Sequence, residues 1–128
     1  MVAKSAHVLV VDDEPHLCVA LSRILEKGGY RVTTTTNGQT ALELIEEKRP
    51  DVVLLDLMMP GLDGREVCRR IRQSGIEVRV IYFTAKADAS DPSKLKELRK
   101  EADDLLVKPA TSRQIISKVS SVLKGGVK

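Results

Sequence analysis

Residues 52–64 read VVLLDLMMPGLDG, and the first five of them decide the fold. Val52, Val53, Leu54 and Leu55 form a continuous apolar run, without the alternation expected of a strand that has one face in water. Asp56 follows this run and is itself followed by Leu57, Met58 and Met59, so it lacks the polar surroundings of a simple surface turn. A short run rich in Val and Leu and bounded by turn residues predicts a strand covered on both faces, as in a parallel sheet. Working outward, runs of the same kind stand at His7–Val11, Val78–Phe83 and Leu105–Val107. Tyr30–Thr35 is Thr-rich and more polar, which predicts an edge strand.

Amphipathic segments with helical spacing fill the intervals. Leu17, Ala20, Leu21, Ile24 and Leu25 make one apolar stripe, and Ala41, Leu42, Leu44 and Ile45 a second. Val67, Cys68 and Ile71 make a third, Leu95, Leu98 and Ala102 a fourth, and Ile115, Ile116, Val119, Val122 and Leu123 a fifth. Pro15 and Pro92 suit a first helical turn, where a missing N–H is harmless. Asp63 with Glu66, and Thr111 with Gln114, have capping-box spacing, and Gly28-Gly29 and Gly75 fit helix stops. Five strands alternating with five helices require right-handed crossovers, hence an α/β, doubly wound parallel sheet with helices on both faces. The expected strand order is the flavodoxin-like 2-1-3-4-5. One domain is expected over residues 5–124, with 125–128 as a frayed tail or linker remnant.

At 128 residues the chain is long enough to bury a core without disulfides or structural metals. Tyr30, Tyr82 and Phe83 are its aromatics, so the core must be aliphatic and a base-stacking nucleic-acid binder is disfavoured. A net charge of +3 is too small to argue for DNA, and Arg65, Arg69, Arg70 and Arg72 fit a solvated helix face. Cys18 and Cys68 lack metal-ligand spacing and fall within apolar helical patterns, which predicts buried free thiols in a reducing compartment. With no signal-like N-terminal run and no membrane-length stretch, a cytoplasmic protein is expected.

In sheets of this kind ligands bind outside the carboxyl ends of the strands. The residues expected there are Asp12-Asp13 after the first strand, Asp56 after the third, Thr84 after the fourth and Lys108-Pro109 after the fifth. Each has an ordinary explanation taken singly: a helix cap, a turn residue, a solvated lysine. Their convergence does not. Two carboxylates about 4–5 Å apart repel by roughly 3–4 kcal/mol at an effective dielectric near 20, and Lys108 brings one positive charge. A hard divalent cation would complete the balance, and magnesium favours carboxylates, water and phosphate.

LVVDDEP (9–15), VVLLDLMMPGLDG (52–64), FTA (83–85) and LLVKPA (105–110) stand in an order and spacing that resemble the receiver domains of two-component response regulators. The resemblance runs from about His7 to Leu123. It implies a phosphorylation switch in which Asp56 accepts a phosphoryl group from a phosphohistidine on a histidine kinase or phosphotransfer protein. It further implies Mg2+ held by Asp12, Asp13, Asp56 and the backbone carbonyl of Met58, with Thr84 and Lys108 on the phosphoryl oxygens. A cis peptide between Lys108 and Pro109 belongs to the same pattern. The signal would leave through the face of the fourth helix, fifth strand and fifth helix, toward a partner or attached output, without direct nucleic-acid or membrane binding. Lys94, Lys96, Arg99 and Lys100 fall on that face. Such a domain carries self-phosphorylation and self-dephosphorylation chemistry and is not a turnover enzyme. His7, in a strand, and His16, at a helix start, do not suit a donor role.

The chain departs from the pattern at Leu105, where the family commonly has an aromatic switch residue, at Glu101 for a glycine, and at Ala110 for a phenylalanine. Tyr82 is the candidate substitute for the missing aromatic. A slightly longer interval between Thr84 and Lys108 places extra loop at 87–91. Three other readings compete. A constitutive pseudo-receiver would have lost a site residue, and none is lost. A flavodoxin-type binder would want a Gly-, Ser- and Thr-rich loop where two aspartates stand. A phosphatase with an aspartyl intermediate would carry Asp-x-Asp after its first strand.

Overall fold

The computed structural model describes residues 5–125. Five strands, β1 (His7–Val11), β2 (Arg31–Thr35), β3 (Val52–Asp56), β4 (Arg79–Ala85) and β5 (Asp104–Lys108), form one parallel sheet in the order β2-β1-β3-β4-β5. The helices are α1 (Pro15–Lys27), α2 (Gly38–Lys48), α3 (Gly64–Ser74), α4 (Lys86–Ala89), α5 (Pro92–Glu101) and α6 (Ser112–Gly125).

The apolar runs do not alternate because the sheet has two cores. Leu9, Val11, Val53, Leu55, Val80, Tyr82 and Leu105 pack beneath α2, α3 and α5 on one face. Val8, Val10, Val52, Leu54, Ile81, Phe83 and Leu106 pack beneath α1 and α6 on the other. Every residue of β1 and β3 is buried, whereas none of β2 is, as an edge position requires. Cys18 and Cys68 are buried free thiols.

Several sequence expectations need correction. Asp56, Thr84 and Lys108 lie within the strands rather than beyond them, because ladder pairing continues past the apolar runs: Asp56 pairs with Phe83, Thr84 with Val107 and Ala85 with Lys108. The extra loop at 87–91 is largely a one-turn helix, α4, tied to α5 by the Lys94 ammonium 2.8 Å from the Asp88 carboxylate. There are therefore six helices among the described residues, and the expected signalling face consists of α5, β5 and α6. Ala20 is exposed and Cys18 takes its place in the buried stripe of α1. Asp63 caps α3 by accepting from the Glu66 N–H at 2.9 Å, but the Glu66 side chain turns to Arg69 and Arg70. The Thr111–Gln114 box is complete in both directions, at 2.9 and 3.1 Å. Gly125 closes α6, and the rest of the expected tail lies outside the described residues.

Candidate acidic site

The carboxyl rim of the sheet gathers the charged residues. Asp12, next after β1, is 1% exposed. Its Oδ1 accepts from the Glu14 N–H at 3.0 Å and its Oδ2 from the Lys108 ammonium at 3.0 Å. The Cys18 thiol donates to its backbone carbonyl at 3.2 Å. Asp13 is exposed beside it. Asp56 ends β3 at 5% exposure, with Oδ1 3.3 Å from Lys108 Nζ and 3.3 Å from the Met58 N–H that donates to it. Oxygens from Asp12, Asp13 and Asp56 all lie within 4.8 Å of one another.

Lys108 closes β5, directly before a cis Lys108–Pro109 peptide bond. Its ammonium bridges Asp12 and Asp56 and sits 5.1 Å from the Phe83 ring centre, a favourable place for a cation. Thr84 is fully buried, and its hydroxyl has no hydrogen-bond partner among the described residues. A buried hydroxyl without a partner is uncommon and costly, and it points to a group that belongs beside it.

The loop from Leu57 to Gly64 holds Asp56 in place. The Gly64 N–H donates to the Leu57 carbonyl at 3.1 Å, and a Cβ on Gly64 would stand 2.2 Å from the Asp56 carbonyl oxygen. Only glycine permits that approach.

The electrostatics follow from burial. Burial, and next the neighbouring Asp12 charge, push the Asp56 carboxyl up to about 6, although Lys108 and the Met58 N–H pull the other way. Burial works against the charged form of Lys108, but its bonds to Asp12 and Asp56 outweigh this and raise its pKa. One lysine thus faces two buried carboxylates, with the exposed Asp13 carboxylate close to both. Three carboxylate oxygens this close, with the Met58 backbone alongside, suit a hard, oxygen-seeking cation such as magnesium.

Every residue expected at the site is at this rim, apart from Leu105, which is buried in the α5-side core opposite Tyr82. Sequence reasoning missed Phe83 beneath the lysine, the Cys18 thiol on Asp12, and the close packing of Gly64. The Gly64 contact had a visible signal, a glycine directly after a capping aspartate, but nothing in the sequence says how near the backbones come.

An acidic, lysine-bridged cluster at the carboxyl rim of a 2-1-3-4-5 parallel sheet defines a class: flavodoxin-like α/β signalling domains. Within that class the chain belongs to the response regulator receiver domain family, which it matches over residues 8–120. It is 38% identical over 117 residues to the alkaline phosphatase synthesis transcriptional regulatory protein PhoP of Bacillus subtilis, covering 91% of this chain and 48% of that protein. It is 39% identical over 119 residues to the transcriptional regulatory protein AfsQ1 of Streptomyces coelicolor, covering 93% and 52%. The chain therefore spans about half the length of these two relatives. The receiver domain of the Francisella response regulator 1452 superimposes with a TM-score of 0.84 at 32% identity, covering 94% of this chain and 98% of that one. The protein is a two-component receiver domain, a signalling domain in class.

Proposed function

We propose that Asp56 accepts a phosphoryl group from a phosphohistidine donor, a histidine kinase or phosphotransfer protein, and that the modification switches the α5–β5–α6 face. The observation that carries this reading is the convergence of Asp12, Asp13 and Asp56 on one point with Lys108 between two of them. An Asp56 carboxylate oxygen attacks phosphorus, the bond from phosphorus to the donor imidazole nitrogen breaks, and the ring, already protonated on its other nitrogen, leaves as neutral imidazole with the bond's electron pair. Phosphoryl transfer asks a protein mainly for positioning and charge stabilisation, and Lys108 supplies a fixed cation for the phosphoryl oxygens. Asp12, Asp13, Asp56 and the Met58 carbonyl would hold Mg2+, which supplies charge neutralisation for the transfer. The Thr84 hydroxyl has no competing partner among the described residues and is free to donate to an arriving oxygen.

A phosphoryl group brings about −1.5 to −2 charges and strong acceptor oxygens, enough to reorganise the rim. The signalling face carries the exposed cations Lys96, Arg99 and Lys100, and the partly exposed Val107 of β5. Its output is a partner or an attached segment. Both full-length relatives are transcriptional regulators by name, which makes control of transcription the favoured output class. No described helix is long and apolar enough to cross a membrane, and a cytoplasmic setting is part of this proposal.

Incubation with acetyl phosphate and magnesium, followed by intact mass and peptide mapping, tests the reading. One added phosphoryl group on Asp56, absent from Asp56→Asn and from samples with chelator, is the expected result. A wild-type protein that stays unmodified would overturn it in favour of a constitutive interaction module.

A further inference from the structure

Away from the acidic rim, one polar network reaches from the buried Tyr82 out to the half-exposed Glu101 and Arg65 and plays no part in the transfer. Tyr82 of β4 is fully buried, and its hydroxyl donates to Oε1 of Glu101, the last residue of α5, at 2.8 Å. Arg65 of α3 grips the same carboxylate, its Nε at 3.0 Å from Oε1 and its terminal nitrogen on Oε2. Cys68 Sγ and Arg72 Nη2 close on the Glu101 backbone carbonyl at 3.6 and 3.4 Å. Three elements thus meet on one glutamate.

Two features make this more than an incidental contact. First, α5 is thinly anchored: of its ten residues only Leu98 is buried, whereas α3 buries four. A polar tie at its last residue therefore carries an unusual share of its attachment. Second, Tyr82 and Thr84 are two apart on β4 and face the same side, because side chains alternate along a strand. Tyr82 is tied to Glu101, while Thr84 at the strand end has a buried hydroxyl with no partner among the described residues. Leu105, paired with Tyr82 across β4 and β5, has no polar tip with which to do the same work.

We propose that Arg65, Glu101 and Tyr82 form a latch by which β4 and α3 hold the end of α5, and that events at Thr84 reach α5 along β4 through this latch. The trigger rests on the phosphoryl-acceptor reading above; the latch itself does not. Hydrogen bonds weaken steeply with distance and angle, so a small shift of the β4 end suffices to loosen the Tyr82–Glu101 bond.

Hydrogen exchange by mass spectrometry on the whole chain tests this, with and without acetyl phosphate and magnesium, in wild type, Tyr82→Phe and Glu101→Gln. Tyr82→Phe keeps the ring and removes one hydroxyl, so the core stays filled. Without phosphodonor, the amides of α5 should exchange about tenfold faster in Tyr82→Phe, as loss of a hydrogen bond to a charged group predicts, with α1 and α2 unchanged. Glu101→Gln should move α5 in the same direction, and serves if the tyrosine variant folds poorly. With phosphodonor, the α5 response seen in wild type should fall by at least about half in Tyr82→Phe while Asp56 modification by mass is unaltered. Exchange of α5 matching wild type in both variants overturns the latch, and an undiminished α5 response overturns its role in transmission. If wild type takes up no phosphoryl group, the proposed function fails, and the latch is still judged by the phosphodonor-free comparison.

Discussion

Replacing Asp56 by Asn should stabilise the metal-free protein even as it removes the phosphoryl acceptor. The carboxylate is 5% exposed, and burial with the Asp12 charge raises its pKa to about 6. An unfolded aspartate titrates near 3.9, and each unit of difference corresponds to about 1.4 kcal/mol, so ionised Asp56 costs the folded state roughly 3 kcal/mol at neutral pH. That figure is already net of the help from Lys108 and the Met58 N–H. The sign follows from linkage. Because the folded pKa lies above the unfolded one, the folded state holds the extra proton between about pH 4 and 6. The penalty is absent below that window, grows through it and is complete above it.

Asn matches the size of Asp and can still accept from the Met58 N–H, while Lys108 keeps Asp12 as its partner. The penalty already includes the Lys108–Asp56 pair, and an amide only approximates the protonated carboxyl, so the net gain is on the order of 1–3 kcal/mol. For a chain of this length that is a rise in Tm of roughly 5–10 °C. Thermal melts by far-UV circular dichroism, in chelator at about pH 7.5 and again near pH 4, measure it. Magnesium at about a hundredfold excess over its Kd should add about 2.7 kcal/mol to wild type and much less to the variant, narrowing the gap. An Asn variant that melts at or below wild type in chelator at neutral pH, or one whose gain is the same in acid, would refute the claim that clustered charge strains this rim.

Other substitutions test the same frame. Gly64→Ala puts a Cβ against backbone atoms of Asp56 and Leu57, at 2.2 and 2.9 Å, so it should lower stability by about 3 kcal/mol or more in urea unfolding. Lys108→Met leaves buried Asp12 and Asp56 without their cation, and should destabilise the chelated protein by about 3–5 kcal/mol. Adding Asp56→Asn to it should recover much of that loss, since one of the two stranded charges is gone. Asp103 accepts from the Val80 N–H at 2.8 Å and from Arg72 at 3.0 Å; partial burial opposes its ionisation, but these bonds prevail and lower its pKa. Asp103→Asn should therefore cost about 1–3 kcal/mol at neutral pH. That stability is present above the unfolded pKa near 3.9 and is lost as pH falls through the lower folded value, so urea midpoints of the two proteins should converge in acid.

Much of this architecture could be read from residues alone because burial on both faces leaves so plain a mark. Val52–Leu55 and Val8–Val11 are apolar without alternation for a reason visible in the two cores, and the polar Arg31–Thr35 is an edge for the complementary reason. The rule that ligands bind at the carboxyl rim then brought Asp12, Asp13, Asp56 and Lys108 together before any distance was known. The strand ends were less legible. Backbone pairing is indifferent to side-chain polarity, so β4 runs on through Thr84 and β5 through Lys108 where the apolar pattern stops. Helix α4 was missed for a different reason: Ala85 at its N-cap offers no side-chain bond, and one turn is too short to show periodicity. Glu101 was seen only as an odd residue in place of glycine. Its role depends on Arg65 and Tyr82, distant in sequence, and no local pattern reports such a meeting.

The unusual residues of this chain make sense as a set. Leu105 fills core volume opposite Tyr82, so the aromatic ring on this side of the sheet belongs to β4 rather than to β5. A buried phenol needs a partner for its hydroxyl, or the core bears the cost of an unsatisfied donor. Glycine at 101 could not supply one; glutamate does, at 2.8 Å. A glutamate there brings a charge into a half-buried position, and that charge in turn needs a cation, which Arg65 provides from α3. Partial burial resists the Glu101 carboxylate, yet the bonds from Arg65 and Tyr82 more than offset it and hold its pKa below the ordinary value. Leucine, tyrosine, glutamate and arginine thus form one connected set, each satisfying a requirement created by another. The acidic rim obeys the opposite logic: Lys108 leaves its carboxylates short of positive charge, and Thr84 keeps a buried hydroxyl without a partner among the described residues. A core that completes its polar groups beside a rim that leaves them open is the physical difference between what holds the domain together and what makes it responsive.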